Sequence, residues 1–106
     1  MLDAIYVKCT KAFSVSITVD DVSPVLSGID IVRLIIKKSM TDSDEDAIIL
    51  KTGVNKEGGI VDFELTPQDT DVPPRKLCYY ELEWKSGDKV EPLEIGTLSI
   101  LDKVFD

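Results

Sequence analysis

Two short pieces of sequence decide the fold: LTPQDT at residues 65–70 and, after a polar gap, LCYYELEW at residues 77–84. The first piece predicts the end of a strand followed by a corner, and the second predicts a strand. Alternate side chains of an extended strand point to the same side. We therefore expect one face of the second strand to lie in a hydrophobic core, and this face carries Cys78, Tyr80, Leu82 and Trp84.

The corner contains side chains that bond to nearby backbone. Thr66 and Asp69 can hydrogen-bond to local backbone groups, and Thr70 can do the same at the end of a single helical turn. In immunoglobulin domains the connection before strand F carries a comparable Asp and leads into a Tyr-x-Cys strand. Here Cys78 precedes both tyrosines and Trp84 follows the cysteine. The antibody pattern Cys-Trp-Cys is therefore absent.

Alternation of apolar and polar residues continues on both sides of this stretch. It predicts strands at residues 5–7, 13–19, 29–38, 47–51, 60–65, 77–84 and 93–101. Seven short strands in about a hundred residues are typical of an immunoglobulin-like β-sandwich. We predict an all-β fold of about seven antiparallel strands, with other small barrels as the alternative.

Turn residues separate these strands. Residues 20–28 contain Asp-Asp, Ser-Pro and Ser-Gly pairs, which predict a turn. Residues 52–59 contain Gly53, Asn55 and a Gly-Gly pair, which predict a hairpin loop. In the last strand the apolar residues change at Gly96 from odd positions, Leu93 and Ile95, to even positions, Leu98 and Ile100. This change predicts a β-bulge at Gly96.

The strand predicted at residues 29–38 is apolar on both faces. One face carries Val32, Leu34 and Ile36, and the other carries Ile31 and Ile35 between basic residues. This pattern indicates an interior strand, or one whose outer face is also covered. Since exposed apolar residues mark interaction surfaces, Ile31 and Ile35 are candidate contacts with a partner, and we expect a homo-oligomer.

Length and charge exclude several classes of protein. With 106 residues the chain forms one domain over residues 1–106, because a second core could not be filled. The 12 basic and 20 acidic residues give a net charge of -8, which repels nucleic acid and anionic membranes. No apolar run is long enough to span a membrane, and the first residues lack the features of a secretory signal.

Catalytic motifs are not found in the sequence. Without histidine there is no Ser-His-Asp or Cys-His nucleophile and no His ligand for zinc. Cys9 and Cys78 cannot form a CxxC site, and we expect both thiols to be free and buried, with a bridge between them as the alternative. No glycine-rich phosphate loop occurs. We therefore expect a protein that is not an enzyme and has no cofactor.

The acidic loop at residues 42–46 raises the question of calcium. Asp42, Asp44 and Asp46 alternate as calcium ligands do, but an EF-hand would need glycine and glutamate where the chain has Ala47 and Gly53. A looser calcium site, with Asp20 or Asp21 of another loop as a further ligand, is the alternative to a solvated loop.

The aromatic residues divide between the core and the opposite face. Tyr80 and Trp84 share the parity of the core positions, so we expect them to pack inside. Tyr79 points the other way, either as an anchor at a protein contact or beneath a neighbouring loop.

Several short pieces of the chain occur in an order known from one group of proteins. They are Ser27-Gly28, the strand at 31–38, Asp46-Ala47, the corner at 65–70, Tyr79-Tyr80-Glu81-Leu82 and Gly96-Thr97-Leu98-Ser99-Ile100. Over about residues 12–101 the chain resembles the small β-sandwich domains of phage and prophage structural proteins. The similarity is greatest to the N-terminal domains of baseplate upper proteins and related tail proteins.

The resemblance implies a virion part that docks into a tail, baseplate or fibre and contacts other phage structural proteins. Such a protein is made in the host cytoplasm and is then assembled into the virion. Baseplate proteins of this type carry further domains, whereas this sequence stops at Asp106. A tail accessory, a capsid decoration or an unplaced prophage product are therefore alternatives. The rival class is an immunoglobulin-like module that binds carbohydrate, peptide or calcium at its loops.

Overall fold

Strands and tight turns make up the protein, as seen in a computed structural model that describes residues 4–18 and 30–102. The strands are β1 (Ala4–Tyr6), β2 (Lys11–Ser16), β3 (Asp30–Lys37), β4 (Ile49–Thr52), β5 (Val54–Asn55), β6 (Ile60–Leu65), β7 (Arg75–Ser86) and β8 (Lys89–Leu101). Two 3-10 turns lie at Asp44–Asp46 and Glu57–Gly59. The prediction of an all-β fold is confirmed for these residues. The turn predicted at residues 20–28 lies outside the described residues.

The strands form two sheets. One has five strands in the order β1-β8-β7-β3-β4, and the other has three in the order β2-β6-β5. Neighbouring strands run antiparallel except β1 and β8, which run parallel with Ile5 opposite Ile100. The prediction of antiparallel strands alone is wrong at this pair. The first strand lies beside the last, and the chain then crosses to the three-stranded sheet.

The two sheets enclose one hydrophobic core. The five-stranded sheet contributes Ile5, Val32, Leu34, Ile36, Ile49, Cys78, Tyr80, Leu82, Leu98 and Ile100, and the three-stranded sheet contributes Val61, Phe63 and Leu65, with Val15 and the adjoining Ile17. The predicted burial of Cys78, Tyr80 and Leu82 is confirmed, whereas Trp84 is only half-buried at the margin. Phe13 on β2 and Phe63 on the neighbouring strand β6 stack their rings, with the ring centroids 5.1 Å apart.

The corner after β6 is held by its own side chains, as predicted. The Thr66 N–H donates to Asp69 Oδ2 at 2.8 Å, and the Asp69 N–H donates to Thr66 Oγ1 at 3.2 Å. Lys51 on β4 donates to the same Asp69 oxygen at 2.8 Å, which links the corner to the five-stranded sheet. Thr70 is fully buried and donates its hydroxyl to the Cys9 carbonyl at 2.8 Å. The corner therefore also fixes the crossing from β1 to β2.

The predicted bulge at Gly96 is wrong. Leu82 pairs with Glu94 and Glu83 pairs with Pro92, so Leu93 is the extra residue. Gly96 instead lies directly opposite Tyr80, and a Cβ at Gly96 would lie 2.7 Å from Tyr80 Cε1. Glycine is required here because the tyrosine ring occupies the space of a side chain.

The predicted hairpin between the fourth and fifth predicted strands is also wrong. β4 belongs to the five-stranded sheet and β6 to the three-stranded sheet. The additional strand β5 pairs with β6, so the hairpin turns at Glu57–Gly59. The chain changes sheets at Gly53, where a Cβ would collide with the side chains of Val61 and Phe63.

Candidate functional site

The candidate site is the side of the five-stranded sheet that faces away from the core, here called the outer face. Its residues alternate with core residues along each strand, because successive side chains point to opposite sides. The exposed large apolar side chains that lie on it are Tyr6, Ile31, Leu50, Leu77, Val90, Ile95 and Leu101. Exposed Met40 follows β3 and lies at its margin. The described part of the outer face therefore carries seven exposed large apolar side chains on five paired strands.

One row of paired residues crosses four strands of this face. Leu50 on β4 pairs with Ile35 on β3, Ile35 pairs with Glu81 on β7, and Glu81 pairs with Ile95 on β8. The ends of the row are exposed, with Leu50 at 50% and Ile95 at 56%, whereas Ile35 is 1% exposed. The two end residues of the row, Leu50 and Ile95, are therefore apolar and exposed, and of the two middle residues Ile35 is buried.

A network of ion pairs explains why Ile35 is buried. Asp44, from the turn after β3, binds Lys37 Nζ at 2.8 Å and Arg33 Nη2 at 3.5 Å. These two basic residues flank Ile35 on the same side of β3, so the turn lies over it. The hydrogen bond from Lys37 is the main reason why the pKa of Asp44 is lowered, and desolvation opposes it.

The structure places the three predicted contact residues in different environments. Tyr79 is half-buried and lines a small depression of about 50 Å³ together with Ile35, Met40 and Ile95. Ile31 is 39% exposed and lies opposite Lys85, four residues before Ile35 on the same strand. Ile35 is 1% exposed, which agrees with the alternative that the outer face of this strand is also covered. Contact of Tyr79 and Ile31 with a partner stays a prediction.

Sequence patterns missed most of the apolar surface on this face. Leu50 and Ile95 lie in strands whose pairing the sequence does not reveal, Leu77 lies at the start of a predicted strand, and Val90 lies outside the predicted strands because β8 begins earlier than predicted. The sequence did contain one indication, because these residues alternate with core residues along their strands and so lie on the opposite face. Only the register shows that these side chains share one side of one sheet.

The carboxylates of the calcium alternative are occupied by the chain itself. Asp42 Oδ2 accepts the Ser39 N–H at 3.3 Å, Asp46 Oδ2 accepts the Ser43 hydroxyl at 3.1 Å, and Asp44 binds Lys37. Within residues 4–18 and 30–102, no group of three or more His, Cys, Asp or Glu side chains could hold a metal ion. The three side chains do not converge on one point.

Both cysteines are free thiols. Cys9 is half-buried in the crossing from β1 to β2, and Cys78 is fully buried in the core. Burial raises the pKa of the Cys78 thiol, since the thiolate would lose its hydration. The alternative of a bridge between them does not occur in this structure.

Two further depressions lie elsewhere on the surface. One, of about 360 Å³, covers the outer side of the three-stranded sheet, where Ser14 donates to Asp62 at 2.6 Å beside Glu64. The other, of about 230 Å³, lies near the β7–β8 hairpin and is lined by Trp84 and Lys89. The lining of the first depression is mixed, since Asp62 and Glu64 lie there with Lys56 and with apolar residues such as Val54.

Comparisons with known protein families, curated proteins and solved structures returned no match. In the part of the chain that the structure describes, no helix has the length and hydrophobicity to cross a membrane.

Proposed function

We propose that this protein is a non-enzymatic structural or adaptor domain of a phage or prophage virion, which binds other proteins through its outer face. The observation that carries this proposal is the set of exposed aliphatic side chains on that face, from Leu50 at one side to Ile95 at the other. Soluble monomers rarely expose extended apolar patches, and larger ones mark interaction sites.

The rigidity of the outer face supports a structural role. Its central strands β3 and β7 pair over eight residues, from Asp30 opposite Ser86 to Lys37 opposite Tyr79. Arg33 and Glu83 bind each other across this pair, at 2.6 Å and 3.2 Å. Binding to a preformed sheet costs little conformational entropy, because its backbone is already ordered.

An immunoglobulin-like sandwich is part of this proposal. The order β8-β7-β3 in one sheet and β2-β6-β5 in the other corresponds to the GFC and BED sheets of that fold. In this correspondence β4 takes the place of strand C′, which variable-type domains add beside C. The parallel β1 then lies beside the strand equivalent to G.

The virion setting rests on the order of sequence pieces that resembles phage β-sandwich domains, and it includes synthesis in the host cytoplasm. Purified particles provide the test. Lysogens that carry the gene would be induced, particles would be purified on a density gradient, and the chain would be sought by mass spectrometry. We expect it in the particle fraction at a fixed ratio to a known virion protein. Its presence only in the soluble extract of lysed cells would contradict the proposal.

A ligand-binding module is the second candidate, and the depression at Trp84 is the observation in its favour. The indole is half-buried and donates Nε1–H to Asp30 Oδ1 at 3.1 Å. An indole beside a cavity of about 230 Å³ can stack on a sugar or a peptide side chain. Binding of oligosaccharides that is lost in Trp84→Ala would favour this candidate over the adaptor role.

A further inference from the structure

We propose that the occupant of the outer face is a second copy of this chain, packed face to face around a two-fold axis. This inference deepens the proposed function and rests on it, since it names the partner of the same surface. Three properties of the face point to self-association: its charge balance, the arrangement of its rows and its area.

Charge balance separates the outer face from the rest of the molecule. The chain has a net charge of -8, so two copies repel each other at most orientations. On β3 and the part of β7 that pairs with it, the outer face carries Arg33, Lys37 and Lys85 against Glu81 and Glu83, and the turn over Ile35, at Asp44–Asp46, adds three acidic residues. The paired strands of this face therefore lack the acidic excess of the whole chain, so two copies meet less repulsion between these strands than at the turns.

The rows of the face complement themselves under two-fold symmetry. Consider a two-fold axis that lies in the interface, between β3 and β7 and parallel to them. It places each row of one copy opposite the same row of the other copy, running in the reverse direction. Leu50 of one copy then lies on the side of Ile95 of the other, so the exposed ends of the row face each other on either side of the turn that lies over Ile35. In the neighbouring row Arg33 lies over Glu83, which gives an alternating cluster of charges. A face that matches itself in this way is what an isologous interface requires.

The area is also adequate. The five strands contain 3, 4, 8, 12 and 13 residues, and at about 3.4 Å per residue and a strand spacing of about 4.8 Å they give a face on the order of 650 Å². Stable protein–protein interfaces bury about 800 Å² on each partner, counted over side-chain surfaces that exceed the projected area. The outer face therefore has the size of one complete interface.

Sedimentation velocity between about 1 µM and 1 mM tests the inference with matched variants. Ile95→Glu places a charge on the outer face, and Val54→Glu places the same charge at an equally exposed position on the three-stranded sheet, 56% against 58%. We expect the wild type and Val54→Glu to form dimers with the same dissociation constant, and Ile95→Glu to weaken dimerisation at least tenfold. Leu50→Glu should behave like Ile95→Glu, and circular dichroism checks that all variants fold.

Two results would overturn the inference. One is a wild type that stays monomeric over the whole range, and the other is a dimer that Ile95→Glu and Leu50→Glu leave unchanged. The particle experiment separates this failure from failure of the proposed function. A monomer that is found in particles refutes self-association and leaves the adaptor role, with a different protein on the face. A dimer that is absent from particles supports the interface and refutes the virion role.

Discussion

Arg33 and Glu83 are paired on the outer face, with Arg33 Nη2 2.6 Å and Nε 3.2 Å from the same Glu83 oxygen. They face each other on the central strands β3 and β7. The Glu83 side chain is 8% exposed, whereas that of Arg33 is 27% exposed. A nearly buried carboxylate on a surface sheet is stable because this guanidinium compensates for the lost hydration.

Removal of Arg33 alone should therefore destabilise the protein more than removal of both Arg33 and Glu83. We expect Arg33→Met to lower the free energy of unfolding by about 2 kcal/mol, because the buried Glu83 carboxylate loses its partner. The double variant Arg33→Met with Glu83→Leu should recover at least half of this loss, since neither charge then remains. Urea unfolding at neutral pH and low protein concentration provides the measurement. A double variant as unstable as the sum of the single variants would refute this explanation.

Gly96 should not tolerate a side chain. We expect Gly96→Ala to lower the free energy of unfolding by about 1 to 3 kcal/mol, because the new methyl would push the Tyr80 ring out of its place. Gly87→Asn is the control. Gly87 has a φ of 60° and open space around it, and asparagine accepts this conformation. Equal losses in both variants, measured by urea unfolding, would show that the ring contact is unimportant.

The corner at residues 65–70 should make the stability of the protein depend on pH. The pKa of Asp69 is lowered from 3.8, chiefly by the hydrogen bond from Lys51 and then by that from the Thr66 backbone. A lowered pKa in the folded state favours folding above about pH 4, and this contribution is lost as the pH falls through the folded-state pKa. Asp69→Asn should be less stable than wild type at pH 6, with the difference shrinking towards pH 2.5. A difference that does not change with pH, in thermal melts, would contradict this.

Calcium should not bind the acidic loop. Millimolar CaCl₂ should leave the melting temperature unchanged relative to MgCl₂ at the same ionic strength, because Asp42, Asp44 and Asp46 bond to separate partners. A rise in melting temperature that disappears in Asp44→Asn would instead establish the calcium site and weaken the adaptor proposal.

The faces of the strands could be predicted from sequence because they depend on local parity. The strand 77–84 shows this, since Cys78, Tyr80 and Leu82 are buried and Tyr79 points to the other side. The corner could be predicted for the same reason, because Thr66 and Asp69 bond to residues close in the chain.

Long-range features could not be predicted in this way. The burial of Ile35 depends on Asp44, which returns over β3 to bind Lys37. The parallel pairing of β1 with β8 joins the two ends of the described chain. The place of the bulge depends on how β8 fits its neighbour β7, and a glycine that makes room for Tyr80 has the same sequence signal as a bulge. The alternation along a strand shows on which face a residue lies, but it does not show which residue lies opposite on the next strand.

Hydroxyl-radical footprinting at two protein concentrations tests most directly whether the outer face is the contact surface. Met40 is 62% exposed at the margin of the face, and Leu77 and Ile95 lie on it with about the same exposure as the control Val54. We predict that labelling of Met40, Leu77 and Ile95 falls at high concentration while labelling of Val54 stays constant. Labelling that is independent of concentration, or that falls at Val54 instead, would contradict the account.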